Sequence, residues 1–146
     1  PVFVHGHAAW AEGVGDSLTP IKNLAEPWYL VIHPGCHVST AKIFSAHDLT
    51  RDAFCITMSD FLAGHSQNVC EPVVRRRYRA VGQALDWLNL YRQARLTGTG
   101  ACLFAAFDSQ AAANTVLAEL PNIWHGFVAQ GKNISPALSQ LFTNAI

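Results

Sequence analysis

Residues 95–104 read Arg95-Leu96-Thr97-Gly98-Thr99-Gly100-Ala101-Cys102-Leu103-Phe104, a glycine turn that runs directly into an apolar segment. Glycine permits a positive φ angle and allows another group to approach where a side chain would block it. A turn of this kind beside a buried strand presents backbone N–H groups to a phosphate or to another loop. The residues alone leave two interpretations equally open: a phosphate-binding or loop-supporting turn, and a plain turn at the start of a strand.

The turn matches neither of two common glycine-rich phosphate motifs. No Gly-Lys-Ser/Thr sequence follows it and no helix is expected there, so it is not a P-loop. Its glycines precede a strand, whereas the glycines of the dinucleotide-binding fingerprint follow one. The apolar segment after the turn predicts a strand over 101–107.

Length and composition predict one globular domain. The chain has 146 residues, of which 50% are hydrophobic and 14% are charged. That length supports a sizeable core. Lys plus Arg and Asp plus Glu number ten each, which argues against a nucleic-acid partner or an anionic membrane surface. No transmembrane segment or signal peptide is visible, and four cysteines without a CxxC pair favour a reducing cytoplasm.

Hydrophobic patterning predicts an α+β fold in which helices cover one face of a small sheet. The longest helix is expected over 72–88, because its apolar residues recur at spacings of three and four. The other expected elements are β structure over 1–21, a strand at 28–32, short helices at 40–44 and 57–62, a helix from its cap Asp108 to Leu120, and a strand at 124–129.

Three groups of polar residues could bind a metal ion or a phosphate, but the residues themselves favour an ordinary polar loop or a solvated surface for each group. His33, Cys36 and His37 could bind zinc, but no second cluster has matching spacing, so loop polarity is preferred. The His5-Gly6-His7 pair is read in the same way. The arginines of the long helix could meet phosphates, but a solvated helix face is preferred; they are Arg75, Arg76, Arg77 and Arg79.

Thr40 and Phe44 lie one helical turn apart, so a hydroxyl and an aromatic ring share a face. A planar base could stack on Phe44 while Thr40 donates a hydrogen bond. The residues alone favour Phe44 as a core side chain. No triad, carboxylate pair or Cys-His pair can be justified from spacing, so no catalytic residue and no metal ligand is predicted.

The glycine turn with its strand resembles the third conserved motif of the GHMP small-molecule kinases. Within that family it is similar to the members that act on a cytidine-diphosphate-linked methylerythritol in non-mevalonate isoprenoid biosynthesis. Further stretches carry the resemblance in the same order along nearly the whole chain: Pro1-Val-Phe-Val, Gly6-His7-Ala8-Ala9, Ala11-Glu12-Gly13-Val14-Gly15, Trp28-Tyr29-Leu30-Val31, His33-Pro34-Gly35 and Gly126-Phe127-Val128-Ala129-Gln130-Gly131.

The resemblance implies a two-lobed, ATP-dependent kinase that uses magnesium and phosphorylates the substrate's 2-hydroxyl. Residues 1–22 would be the last strands of the N-terminal lobe, a β-hairpin, and residues 23–146 the C-terminal domain with its antiparallel sheet. The family's catalytic aspartate, its lysine and its ATP loop would all precede Pro1. The chain alone is therefore expected to be inactive and to bind no cofactor.

The resemblance also assigns site residues. Thr40 and Phe44 match a cytidine site, and Thr97, Gly98, Thr99 and Gly100 would support the phosphate loop. One departure is Asn68-Val69, where the family often has Asn-Asp, so a polar role of that aspartate is in doubt here. The N-terminal strands, without a partner sheet, are expected to self-associate. The alternative function is a non-catalytic small-ligand binding or regulatory module.

Overall fold

The computed structural model describes residues 2–138, so Pro1 and residues 139–146 of the expected domains lie outside the described residues. The chain forms two compact units. One consists of residues 27–129, and the other combines the described parts of the segments before and after it, residues 2–26 and 130–138. The elements in chain order are α1 (Val2–His5), β1 (Ala9–Glu12), β2 (Ser17–Pro20), β3 (Trp28–His33), α2 (Thr40–Phe44), α3 (Met58–Leu62), α4 (Glu71–Arg77), α5 (Arg79–Asn89), β4 (Arg95–Leu96), β5 (Leu103–Phe107), α6 (Gln110–Ala118) and β6 (His125–Gln130).

The larger unit is built on a four-stranded sheet with strand order β4-β5-β3-β6. β5 pairs antiparallel with both β3 and β4. Leu30 and Ile32 alternate along β3 and are fully buried beneath the helices, as are Leu103 and Ala105 on β5. The α+β fold with an antiparallel sheet is thereby confirmed. The strand β4 was not predicted, because two residues are too few to show a pattern.

The long helix expected over 72–88 is two helices, α4 and α5, because Tyr78 leaves the helical conformation at φ −126° and ψ 85°. Gly82 lies close to the backbone of α4, where a Cβ atom would be 3.6 Å from the Arg75 carbonyl oxygen. An ion pair between Arg75 and Asp86 joins the two helices. The periodicity identified the buried face correctly but did not reveal the break, since both helices bury residues in the same core.

The helix cap expected at Asp108 is wrong by one residue. Ser109 caps α6, since its side chain accepts a hydrogen bond from the Ala112 N–H. Asp108 instead accepts a hydrogen bond from Arg92 at 3.0 Å. Serine and aspartate are both favoured N-caps, so composition did not distinguish two adjacent candidates.

The smaller unit contains the expected β-hairpin, in which β1 pairs antiparallel with β2, Ala9 opposite Pro20 and Glu12 opposite Ser17. Residues 2–5, expected to be β structure, form the single turn α1, in which the Gly6 N–H bonds to the Val2 carbonyl. The apolar residues Val2, Phe3 and Val4 suggested a strand. A helical turn satisfies its backbone locally, whereas a strand needs a neighbour.

Candidate functional site

The glycine turn connects β4 to β5 and is closed by its own backbone. The Thr97 N–H and hydroxyl both donate to the Cys102 carbonyl oxygen, and the Gly100 N–H donates to the Thr97 carbonyl oxygen at 2.7 Å. Gly98 has φ +49° and Gly100 has φ +88°, the left-handed region that glycine adopts without strain. A Cβ on Gly100 would also crowd Leu96, at 3.2 Å. Both glycines are therefore required by the backbone of the turn.

Two backbone donors of the turn are unused. Among residues 2–138, the N–H groups of Gly98 and Thr99 donate to no protein group. A Cβ placed on Gly98 would meet no atom within 4 Å, so the space beside it is open. Consecutive free N–H groups with a left-handed residue between them are the geometry that binds anions. The residues present therefore fit an oxygen of a phosphate group.

The side chain of Asn68 holds the turn from one side. Its Nδ2 donates to the Gly98 carbonyl oxygen at 2.7 Å and to the Leu96 carbonyl oxygen at 3.1 Å. Its Oδ1 accepts from the Cys70 N–H at 3.0 Å, just before α4 begins. Both functions of the amide are thus engaged, and Asn68 ties the start of α4 to the turn.

Helix α2 holds the turn from the other side. The Thr40 Oγ1 lies 2.9 Å from the Thr99 Oγ1, so one of the two hydroxyls donates to the other. Ser39 caps α2, and its own N–H donates to the Tyr78 hydroxyl at 3.4 Å. Two groups of candidate residues that are 59 positions apart in sequence therefore meet in one site.

Phe44 is exposed rather than part of the core. Its exposed fraction is 53%, whereas its neighbour Ile43 is fully buried. The carbonyl oxygen of Phe44 accepts a hydrogen bond from Arg51 at 2.6 Å, which holds the end of α2. The residues alone favoured a core position for Phe44, and that expectation is wrong. The exposed ring lies one turn from the Thr40 hydroxyl, as stacking on a planar base requires.

Three of the four arginines around α4 are paired with carboxylates. Arg76 and Arg77 both contact Asp48, at 2.7 and 3.1 Å, and Arg75 contacts Asp86. The hydrogen bond from Arg76, aided by the nearby charges of Arg76 and Arg77, holds the pKa of Asp48 below its usual range. These cations are thus engaged on the protein surface, as the solvated-face interpretation expected.

The histidine–cysteine loop has contacts of its own. His33 Nδ1 accepts a hydrogen bond from the Gly35 N–H at 3.2 Å. Burial raises the pKa of the Cys36 thiol, and likewise of the Cys70 thiol beside Asn68, so both favour the neutral form.

Within residues 2–138, no three His, Cys, Asp or Glu side chains are arranged to hold a metal ion. No helix in that range could cross a bilayer.

Sequence reasoning missed the contacts of Asn68. It noted this residue only as part of the Asn68-Val69 departure, whereas the structure places its amide against the turn and Val69 against the core. An asparagine before a helix ordinarily indicates a cap. Nothing in the sequence spacing predicts a contact with Gly98, which lies 30 residues later. Only the tertiary fold reveals this contact.

Comparisons with known proteins identify the family of this chain. Residues 55–126 match the family model described as GHMP kinases C terminal, a range that contains Asn68 and the whole glycine turn. The chain belongs to the GHMP kinase family. Its β4–turn–β5 hairpin therefore lies in the C-terminal domain of that family.

Three curated relatives are each named 4-diphosphocytidyl-2-C-methyl-D-erythritol kinase. The relative from Alkalilimnicola ehrlichii is 55% identical over 97% of this chain and 48% of its own length. The relative from Nitrosococcus oceani is 52% identical over 97% of this chain and 50% of its own length. The relative from Halorhodospira halophila is 50% identical over 93% of this chain and 48% of its own length. The chain thus spans about half the length of the curated relatives it matches.

A solved structure has the same fold. The crystal structure of a 4-(cytidine 5'-diphospho)-2C-methyl-D-erythritol kinase matches with a TM-score of 0.66, over 90% of this chain and 53% of that one. The two sequences are 19% identical, so this likeness bears on the fold alone.

Proposed function

We propose that this chain is the C-terminal part of an ATP-dependent kinase that phosphorylates the 2-hydroxyl of 4-(cytidine 5'-diphospho)-2-C-methyl-D-erythritol. The observation that carries the proposal is the identity of 50–55% to three relatives named for this activity, over at least 93% of the chain. The reaction forms a bond between the substrate's 2-oxygen and the γ-phosphorus of ATP. The bond from that phosphorus to ADP breaks, and the hydroxyl proton passes to a base.

Thr40 and Phe44 form the cytidine-binding part of the proposed site. The ring of Phe44 is exposed at 53% and can stack on the base, while the Thr40 hydroxyl, already bonded to Thr99, can also contact the ligand. Stacking of a base on an aromatic ring contributes about 1–3 kcal/mol. Thr40 and Phe44 thus recognise the substrate's nucleotide rather than its reacting hydroxyl.

The turn Thr97–Gly100 would form one wall of the phosphate site. The free N–H groups of Gly98 and Thr99 are oriented donors for a phosphate oxygen or for the loop that carries the phosphates. Magnesium bound with ATP would supply positive charge that offsets the charge of the phosphates. Phosphoryl transfer depends on charge positioned around the phosphates. We place the base and the remaining phosphate-binding groups in a part of the protein outside these 146 residues, so the chain alone does not catalyse.

We place the protein in the cytoplasm, because the four cysteines of the chain are unbridged in the structure, which suits a reducing compartment. Cell fractionation tests this, since recovery with the membrane or secreted fraction would contradict it.

ADP release by the full gene product that contains this chain tests the function. With ATP and the cytidine-diphosphate substrate, turnover is expected, and an analogue lacking the 2-hydroxyl should give none. The isolated 146-residue chain should be inactive under the same conditions. Absence of turnover by the full product would refute the proposal, and selective nucleotide affinity of the isolated chain in calorimetry would then favour a binding module.

A further inference from the structure

Asn68 is placed to determine how the turn presents the free N–H group of Thr99. The peptide group between Gly98 and Thr99 is trans, so its carbonyl and its N–H point in opposite directions. Because the Gly98 carbonyl oxygen is bound to Asn68 Nδ2 at 2.7 Å, the Thr99 N–H points away from Asn68. A rotation of this peptide would break that bond and turn the N–H with it.

The other side of the same peptide is anchored by helix α2. Thr99 carries the hydroxyl that lies 2.9 Å from the Thr40 hydroxyl. Asn68 therefore holds the carbonyl of the Gly98–Thr99 peptide, and Thr40 holds the side chain of Thr99 that follows it. A Cβ placed on Gly98 would meet no atom within 4 Å, so among the described residues no side chain packs against the turn on that side.

We infer that Asn68 is a positioning residue for phosphoryl transfer, acting through the Gly98–Thr99 peptide on the phosphates of ATP. This inference rests on the proposed kinase function. Asn68 does not touch the ligand itself, since its amide is already occupied by the Leu96 and Gly98 carbonyl oxygens and the Cys70 N–H. Its effect is transmitted by keeping the Thr99 N–H donor in a fixed direction, which spares the site from reorganising when charge develops.

The substitution Asn68→Asp isolates this role. The carboxylate keeps the shape and the acceptor for the Cys70 N–H, but it cannot donate to the two carbonyl oxygens. Asn68→Ala removes the same donors without adding charge. Gln67→Glu is the matched control, because it makes the same amide-to-acid change at the adjacent exposed side chain, which makes no hydrogen bond among the described residues.

The measurement is steady-state kinetics of the full gene product with ATP varied, together with the folded fraction from circular dichroism. Both Asn68 variants should lower kcat/KM for ATP by roughly ten- to hundredfold, a loss typical of a misplaced catalytic group. Gln67→Glu should keep kcat/KM for ATP within about twofold of the wild-type value. That change is well below a tenfold one, which corresponds to about 1.4 kcal/mol.

The kinetic outcomes separate the two proposals. If the wild-type product does not turn over ATP, the proposed function fails. If the wild type is active and folded Asn68→Asp and Asn68→Ala match it in kcat/KM for ATP, the positioning role is overturned. Failure of both variants to fold would also overturn it, because Asn68 would then be a structural residue.

Amide hydrogen exchange in the isolated chain gives a second readout. The Thr97 and Gly100 N–H groups are hydrogen-bonded within the turn, and they should exchange faster in Asn68→Asp. Unchanged exchange at both positions would contradict the claim that Asn68 holds the turn.

Discussion

The hydroxyls of Thr40 and Thr99 join helix α2 to the glycine turn through a single hydrogen bond of 2.9 Å. Neither residue is required by the core, and each lies in a segment whose own sequence explains its local structure. Their contact joins the proposed base-recognition element to the proposed phosphate-recognition element. At the scale of residues, the proposed site depends on this contact and on the exposed ring of Phe44.

A double-mutant cycle tests the contact between the two threonines. Thr40→Val and Thr99→Val each remove one hydroxyl with little change in shape, and the pair should show a coupling free energy of about 0.5–1 kcal/mol. Chemical denaturation of the isolated chain measures it. The control pair, Thr40→Val with Thr115→Val, should be additive, because Thr115 bonds to Ala111 in α6. Additivity in the first pair would contradict the structure.

Phe44→Ala tests the stacking role. The affinity of the full gene product for the cytidine-diphosphate substrate should fall about five- to 150-fold, because one base–ring contact of about 1–3 kcal/mol is lost. Isothermal titration calorimetry gives the dissociation constant. Phe127→Ala is the matched control, since Phe127 is similarly exposed, at 58%, and lies on β6. Equal losses in the two variants would mean that Phe44 has no special role.

At the scale of elements, caps and breaks decide where the helices end. Ser39, Thr57 and Ser109 cap α2, α3 and α6, each with a side chain that accepts a backbone N–H. Helices as short as these owe their boundaries to such bonds, because each leaves four N–H groups without an internal partner. Asp108 shows that the residue type by itself does not identify the cap.

Ser109→Ala should lower the free energy of unfolding by about 1 kcal/mol, the usual loss for a removed N-cap. Asp108→Ala should cost no more than about 0.5 kcal/mol, because its ion pair with Arg92 is on the surface. Urea denaturation followed by circular dichroism compares them. A larger loss of unfolding free energy for Asp108→Ala than for Ser109→Ala would indicate that Asp108 is the cap, as the sequence predicted.

The stability of the fold is expected to depend on pH through Glu26, which contacts the segment after β6. The hydrogen bond from the Asn133 backbone N–H to Glu26, at 2.7 Å, lowers the pKa of this carboxyl, and Lys132 adds to the effect. Since the folded pKa is lowered, the contribution to stability is present above the ordinary glutamate pKa of about 4.3 and is lost as pH falls through the folded value.

The Asn133 amide resonance should report this titration in a series of NMR spectra. Its shift should change as pH falls through the folded pKa of Glu26, below about 4.3, and Glu26→Gln should abolish the change. Glu12→Gln, at an exposed carboxylate of β1, should leave it in place. If the Asn133 resonance still shifts with pH in Glu26→Gln, the titrating group is not Glu26.

At the scale of the whole molecule, the two units differ in how they are built. Residues 27–129 have a continuous core that includes side chains from the sheet and from α2, α4, α5 and α6. Residues 2–26 and 130–138, the described part of the smaller unit, contribute no side chain to that core. It leaves large apolar side chains in water, with Phe3 exposed at 81%, Val4 at 84% and Val14 at 93%. Exposed apolar groups of this kind predict association with another surface.

We expect the isolated chain to self-associate through this region. Light scattering after size-exclusion chromatography should show a mass above 15.9 kDa that depends on concentration. The double substitution Phe3→Ser and Val4→Ser should return the chain toward a monomer. Leu90→Ser, at another exposed apolar residue, should not change the mass. A monomeric wild type would refute the expectation.

Sequence alone determined the α+β class, the buried face of the 72–88 region and the glycine turn, because these depend on local periodicity and backbone freedom. It also identified the family through ordered motifs. The tertiary structure alone decided the break at Tyr78, the cap at Ser109 and the contacts that Asn68 and Thr40 make with the turn. Those contacts join residues that are 28–59 positions apart, and no local pattern specifies a distance across the fold.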